Sequence, residues 1–117
     1  MDELAGRMRT ALEGLGAAVF YIYPSSFATL PAVSYGEAAQ SALIEADDAP
    51  LLIGVEYNVD IWARAFSGAR ALGAAAAQRL AGLGFSVEVD GDQYDKALGV
   101  CRRTLRCRAA LIKETEE

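Results

Sequence analysis

A chain of 117 residues without a single histidine has few ways to do chemistry. Ser-His-Asp and Cys-His arrangements cannot be built, and the two cysteines, Cys101 and Cys107, are too few and wrongly spaced for a zinc site. Carboxylates remain. Asp90, Asp92 and Asp95 in DGDQYD could gather around calcium, but the segment lacks the spacing and the final glutamate of an EF-hand loop and reads as a polar turn. Glu45, Asp47 and Asp48 could be drawn as a carboxylate pair, yet no nucleophile or pocket-forming pattern accompanies them, and they read as a turn before a strand. Gly14 with Gly16, and Gly82 with Gly84, lie outside any GxGxxG or P-loop pattern and read as helix ends. No catalytic, metal-binding or cofactor-binding residue is assigned, and no cofactor is expected.

The pattern offers a contact surface instead. In LLIGVEYNVDIWAR, Ile53, Val55, Tyr57, Val59 and Ile61 share one parity, while Glu56, Asn58, Asp60, Trp62 and Arg64 share the other. A pleated strand sends alternate side chains to opposite faces, so the first set predicts a core and the second an outward row. The segment Val100 to Lys113 repeats the arrangement, with Leu105, Cys107, Ala109 and Leu111 against Arg102, Thr104, Arg106 and Arg108. If the two strands are neighbours, Glu56 and Asp60 meet the arginines as cross-strand ion pairs. On a solvated face such pairs contribute little. A tryptophan among them, with Arg64 beyond, has the composition of an interface centre. Two readings of Trp62 stay open, a contact to another subunit or a side chain packed under a loop of its own chain. Phe27, with Leu30 in the loop between Pro24 and Pro31, carries the same two readings. The candidate subunit or partner interface is therefore Phe27, Glu56, Asp60, Trp62, Arg64, Arg102, Arg106 and Arg108.

Several elements must hold these rows in place. Leu4, Met8, Ala11, Leu12 and Leu15 form one face of a first helix, capped by Asp2 and ended by Gly14 and Gly16. Ala18 to Tyr23 is a short strand closed by Pro24, and SSFATL is a loop between two prolines. Extended pieces follow near Ala32 to Gly36 and Gln40 to Glu45, two arms around a bulge or a broken hairpin strand, with a helix left open by the alanine richness of the segment. Asp47, Asp48 and Pro50 turn the chain into the long strand. Phe66, Ala69, Leu72, Gly73, Ala76, Leu80 and Leu83 then give the apolar stripe of a second helix, with Ser67 as N-cap and Gly84 as a left-handed stop. Phe85 to Asp90 is a strand, DGDQYD a turn, Val100 to Lys113 the last strand, and residues 114–117 a frayed tail. The expectation is one α+β domain over residues 1–113, with two helices on one face of a mixed four- to five-stranded sheet. The other sheet face is left open.

Composition narrows the function. A net charge of −5 argues against a general nucleic-acid binder, which carries a basic face. No apolar run approaches the roughly 20 residues of a membrane span, and MDELAGRMRT lacks the apolar core of a secretion signal. The expected setting is a cytoplasm or something assembled there. Six residues along a strand separate Cys101 from Cys107 by about 20 Å, so reduced, buried thiols are expected rather than a disulfide.

The order of these elements, with YIYP, PAVSYGEA, EYNVDIWA, the alanine-rich helix closing on LAGLGF, DQYDKALG and an arginine-rich last strand, resembles the tail terminator, or tail-completion, proteins of long-tailed bacteriophages and phage-tail-like particles. The resemblance covers nearly the whole chain. The segment AAQSALIEADDAP departs from it, standing where those proteins carry a polar stretch. What the resemblance implies is a virion structural protein that closes into a ring, most often a hexamer, on the head-proximal end of the tail tube. Such a ring ends tube growth and docks the head or neck. Its partners would be its own copies, the tail tube protein and a head-completion or neck protein. DNA would pass an acidic lumen without specific binding, assembly would occur in the bacterial cytoplasm, and no membrane would be involved. The alternatives are a head-closure or head-tail joining protein, and a non-viral ligand-binding α+β module. The inward residues, nearly all aliphatic, alanine or tyrosine, leave a ligand little room in the groove between sheet and helices. An enzyme is the least favoured class.

Overall fold

A computed structural model describes residues 2–46 and 49–112. The expected turn at Asp47 and Asp48, and the expected tail at 114–117, lie outside the described residues. Seven elements follow in order: α1 (Asp2–Glu13), β1 (Ala18–Tyr21), β2 (Ala32–Ala46), β3 (Ala49–Ala63), α2 (Phe66–Ala81), β4 (Ser86–Asp95) and β5 (Val100–Ile112). The strands form one five-stranded sheet in the order β1-β2-β3-β5-β4. β1 runs parallel to β2, and the other pairs are antiparallel. This is the mixed α+β architecture that the residue pattern predicts.

The alternation along β3 creates the core. Val55, Tyr57, Val59 and Ile61 are buried against Leu105 and Cys107 of β5, Val33 and Tyr35 of β2, and the apolar stripes of both helices. Ala69, Gly73, Ala76 and Leu80 are the buried residues of α2, and Leu4, Met8 and Leu12 those of α1 within this core. Gly73 permits a close approach, because a Cβ there would stand 3.1 Å from Cδ of Arg103. α2 ends as expected at Gly84, with φ of +101°: the Phe85 amide donates to the Leu80 carbonyl and the Gly84 amide to the Ala81 carbonyl. That paired closure suits a residue without Cβ.

Two expectations need correction. Ser67 does not cap α2. Ala65 is extended in the cap position and its carbonyl already accepts from the Ala69 amide at 3.1 Å, so helical bonding starts two residues before Ser67. DGDQYD is not a turn but part of β4, paired with β5 across an irregularity between Val89 and Gly91. Ion pairs from Asp90 to Arg106 and from Asp92 to Arg103 hold it there, so tertiary pairing overrides the turn propensity of its residues. The turn follows at residues 95–99, where the Gly99 amide donates to the Asp95 carbonyl at 2.8 Å. Of the alternatives for β2, the structure has the two arms around a bulge: one 15-residue strand whose register against β3 shifts between Glu37 and Ala39, and again at two places further on.

Val59→Asp tests the parity. Val59 is 0% exposed, and an unpaired carboxylate there costs on the order of 4–5 kcal/mol. Far-UV circular dichroism with a thermal melt should show an unfolded or barely folded chain; a wild-type melt would mean that Val59 does not face the core.

Candidate assembly face

The eight candidate residues do not form one patch. On the face opposite the helices the register places Trp62 beside Ala32 and Arg102, and Asp60 beside Ser34 and Thr104. Glu56 lies opposite Arg108, and Glu88 of β4 opposite Arg106. Two clusters result, one at the β1 end of the sheet and one further along it.

The first cluster is built on Trp62. Its ring is 2% exposed, packed with Ala32 and Val100 and bordered by Ala18, Phe20, Phe27 and Leu30. Of the two open readings the structure selects the intramolecular one: the loop between Pro24 and Pro31 covers the ring. The face expected to be open is therefore closed at this end. Tyr23, Phe27 and Trp62 meet edge to face, with centroids 5.1 to 5.7 Å apart, the arrangement that ring quadrupoles favour. The indole N–H donates to Ser34 Oγ at 2.9 Å. Above the indole lies the Arg102 guanidinium, 4.9 Å from the ring centroid. Its Nε and Nη2 each donate to Asp60 at 3.1 Å, and Thr104 Oγ1 donates to the same carboxylate at 2.6 Å. Asp60 is 7% exposed, so these three bonds replace the water it has lost.

The second cluster is an ion-pair lattice across three strands. Arg106 reaches Asp90 at 2.7 Å, with Glu56 and Glu88 just under 4 Å away. Arg108 reaches Glu56 at 3.1 Å and Glu88 at 3.6 Å. All these side chains are partly solvated, so each pair contributes less than about 1 kcal/mol. Arg64 stands apart, exposed just beyond β3, its carbonyl 3.8 Å from Cys101 Sγ.

Residue patterns did not point to Tyr23, Ser34, Glu88, Asp90 or Tyr94. Glu88 and Asp90 carried a signal, as acids on a strand next to an arginine row. Tyr94 was hidden by the turn assigned to its segment. The three aspartates considered for calcium are engaged separately: Asp90 with Arg106, Asp92 with Arg103, and Asp95 Oδ1 with the Leu98 amide. Among the described residues no group of three His, Cys, Asp or Glu side chains could hold a metal ion, and no helix is long and apolar enough to cross a membrane. Cys101 and Cys107 are free and buried, as expected.

The fold and this face define a small α+β domain with a long sheet, helices on one side and a charged, internally paired surface on the other. Neither a protein-family model nor a curated protein matches the sequence. Among solved structures the chain is similar in fold to a chain of the virion of a native gene transfer agent particle, with a TM-score of 0.63 and 17% identity. The similarity covers 94% of this chain and 92% of that one.

Two measurements check this geometry. Trp62→Ala should lower the unfolding free energy by about 3–5 kcal/mol in urea titration, because it leaves a void under the 24–31 loop and removes the donor to Ser34. Burial raises the Cys107 thiol from the ordinary 9.0 to about 12. The neutral thiol is thus favoured in the fold, so its stabilising effect is complete below 9.0 and is lost as pH rises toward 12. Cys107 should resist iodoacetamide at pH 8 in the native chain and react once the chain is unfolded, with mass spectrometry as the readout.

Proposed function

We propose that this chain is a structural subunit of a phage-like particle, and that its copies form a ring on the head-proximal end of the tail tube, ending tube growth and docking the head or neck. The observation that carries the reading is the fold likeness to a gene transfer agent virion chain over nearly the full length of both chains. The element order of the terminator proteins supports the finer role. So does the chemistry of the polar sheet face, where Arg102, Arg106 and Arg108 are matched to Asp60, Asp90, Glu56 and Glu88. In a ring the partners are neighbouring copies, the tube protein and a neck or head-completion protein, and DNA passes the lumen.

Deleting the gene in the producing cell and imaging particles by electron microscopy tests the role. Tails of uncontrolled, excessive length without heads are the expected outcome. Tails of normal length beside filled but unjoined heads would overturn the terminator role in favour of head-tail joining, and normal particles would overturn both.

A further inference from the structure

The sheet leaves both of its lateral sides open. β1 pairs with β2 only from Ala32 to Tyr35. Its chain then turns off at Ile22, whose amide donates to the Tyr35 carbonyl at 2.7 Å and whose φ is +74°. That left-handed conformation costs a β-branched residue free energy, so the departure is held in place by its surroundings. Beyond it β2 runs on to Ala46 with no strand on its outer side among the described residues. Across the molecule β4, Ser86–Asp95, is the last strand of the sheet, with a bare outer edge. The open stretch of β2 and the edge of β4 are nearly equal in length. Such an edge is a template for another strand.

The bare apolar residues lie on the same two sides. Among the described residues, the large apolar and aromatic side chains left exposed are Tyr21, Ile22, Tyr23 and Leu43 on the β1–β2 side, and Val89, Tyr94 and Leu98 on the β4 side. None is on a helix or on the inner strands β3 and β5. Charge separates the possible pairings. β4 carries Glu88, Asp90 and Asp92, and a copy of itself would set these acids against their own kind. From Gly36 to Ile44 β2 carries only Glu37, and offers β4 little repulsion. A lateral side measuring 51 by 23 Å has a footprint of about 1,200 Å², above the ~800 Å² per partner of a stable interface. Three antiparallel steps separate β2 from β4, so the two run in opposite directions. Rotation about an axis along the strands keeps those directions. β2 of one copy then meets β4 of the next antiparallel, and pairing along the full length brings Tyr94 to the Gly36 end. Ile22 is waiting there, its Cδ1 3.3 Å from where a Cβ on Gly36 would stand.

We infer that copies of this chain join side to side, the open stretch of β2 in one copy pairing antiparallel with β4 of the next, so that one sheet continues from copy to copy and Tyr94 packs beside Ile22 and Tyr23. The contact uses two different surfaces and is heterologous. Where its rotation closes, no sheet edge is left bare. The inference rests on the self-assembly in the proposed function and names the strands that make it.

Proline at an outward amide tests it, because proline removes the donor and obstructs an approaching strand. The Tyr35 carbonyl is turned outward to Ile22, so Val59 opposite it bonds to Leu105 of β5, and Val89 opposite Leu105 is turned outward in turn. Gln40 lies opposite Val55, an even number of residues from Val59 on β3, and so has an outward amide like that of Tyr35. Gln40→Pro therefore spoils the β2 edge and Val89→Pro the β4 edge, each without breaking a pair inside the chain. Leu43→Lys and Tyr94→Lys replace them where circular dichroism shows that a proline variant does not fold. Sedimentation velocity of the full chain over a concentration series is the readout. Wild type should form species larger than dimers, and each variant alone should associate roughly tenfold or more weakly. An equimolar mixture of the two should yield dimers and nothing larger, because one intact β2 edge and one intact β4 edge remain per pair. A folded variant that assembles like wild type would overturn the strand pairing while leaving the ring reading intact, and so would a mixture that stays monomeric. A wild type that stops at monomers or dimers at every concentration would overturn the pairing too, and the deletion phenotype then decides the ring reading separately.

Discussion

Every other contact in this molecule depends on β3 holding a single register against two neighbours. Val55, Tyr57, Val59 and Ile61 enter the core only while Glu56 and Asp60 leave it, and a slip of one residue would exchange the two sets. The polar face reinforces the choice. Trp62 is bonded to Ser34 of β2, and Asp60 to Arg102 and Thr104 of β5, so both neighbours are keyed to β3 at the same end. Among the described residues every buried side-chain nitrogen and oxygen has a partner. A shifted pairing would leave Asp60, Ser34 and the indole N–H without theirs, and an unpaired buried group costs more than its bond contributes. Specificity of register, more than raw stability, is what these polar contacts supply.

The same alternation explains which parts of the fold were legible in the sequence. A period of two over ten residues admits one pleated solution, so the core face of β3 and the arginine row of β5 follow from residue type alone, as the packing stripe of α2 follows from spacings of three and four. Gly84 was legible for a related reason, since a glycine directly after an apolar stripe has few roles other than a left-handed closure. Ser67 was misleading because capping depends on where the chain leaves β3: β3 runs to Ala63, and the Ala65 carbonyl already takes the Ala69 amide, with Ala69 fully buried.

Two features needed the third dimension. DGDQYD has turn residues throughout, and only the neighbouring β5, with Arg103 and Arg106 placed to receive Asp92 and Asp90, turns it into a strand. Trp62 has outward parity, which is correct, but parity says nothing about what lies above it. The 24–31 loop returns over that face, so a residue on the side away from the helices is nonetheless core. The first candidate cluster therefore has two layers: Trp62 and Asp60 are buried and hold Ser34 and Arg102 in place, while Tyr23 and Tyr94 are exposed beside them.

The charge arrangement limits what the polar face can bind. Arg102 is committed to Asp60, Arg106 to Asp90 with Glu56 and Glu88 near, and Arg108 to Glu56 and Glu88. Four acids thus answer three arginines, and the chain as a whole is at −5. A phosphate approaching this face would have to displace a carboxylate already in contact with its arginine, gaining one ion pair while breaking another. Nucleic-acid affinity comes from releasing counterions condensed on phosphates, and that requires cations that are not already neutralised. Arginines that already hold carboxylates have little of that release to offer. A carboxylate on another protein faces the same obstacle at Arg102, Arg106 and Arg108, each of which already holds an acid of its own chain.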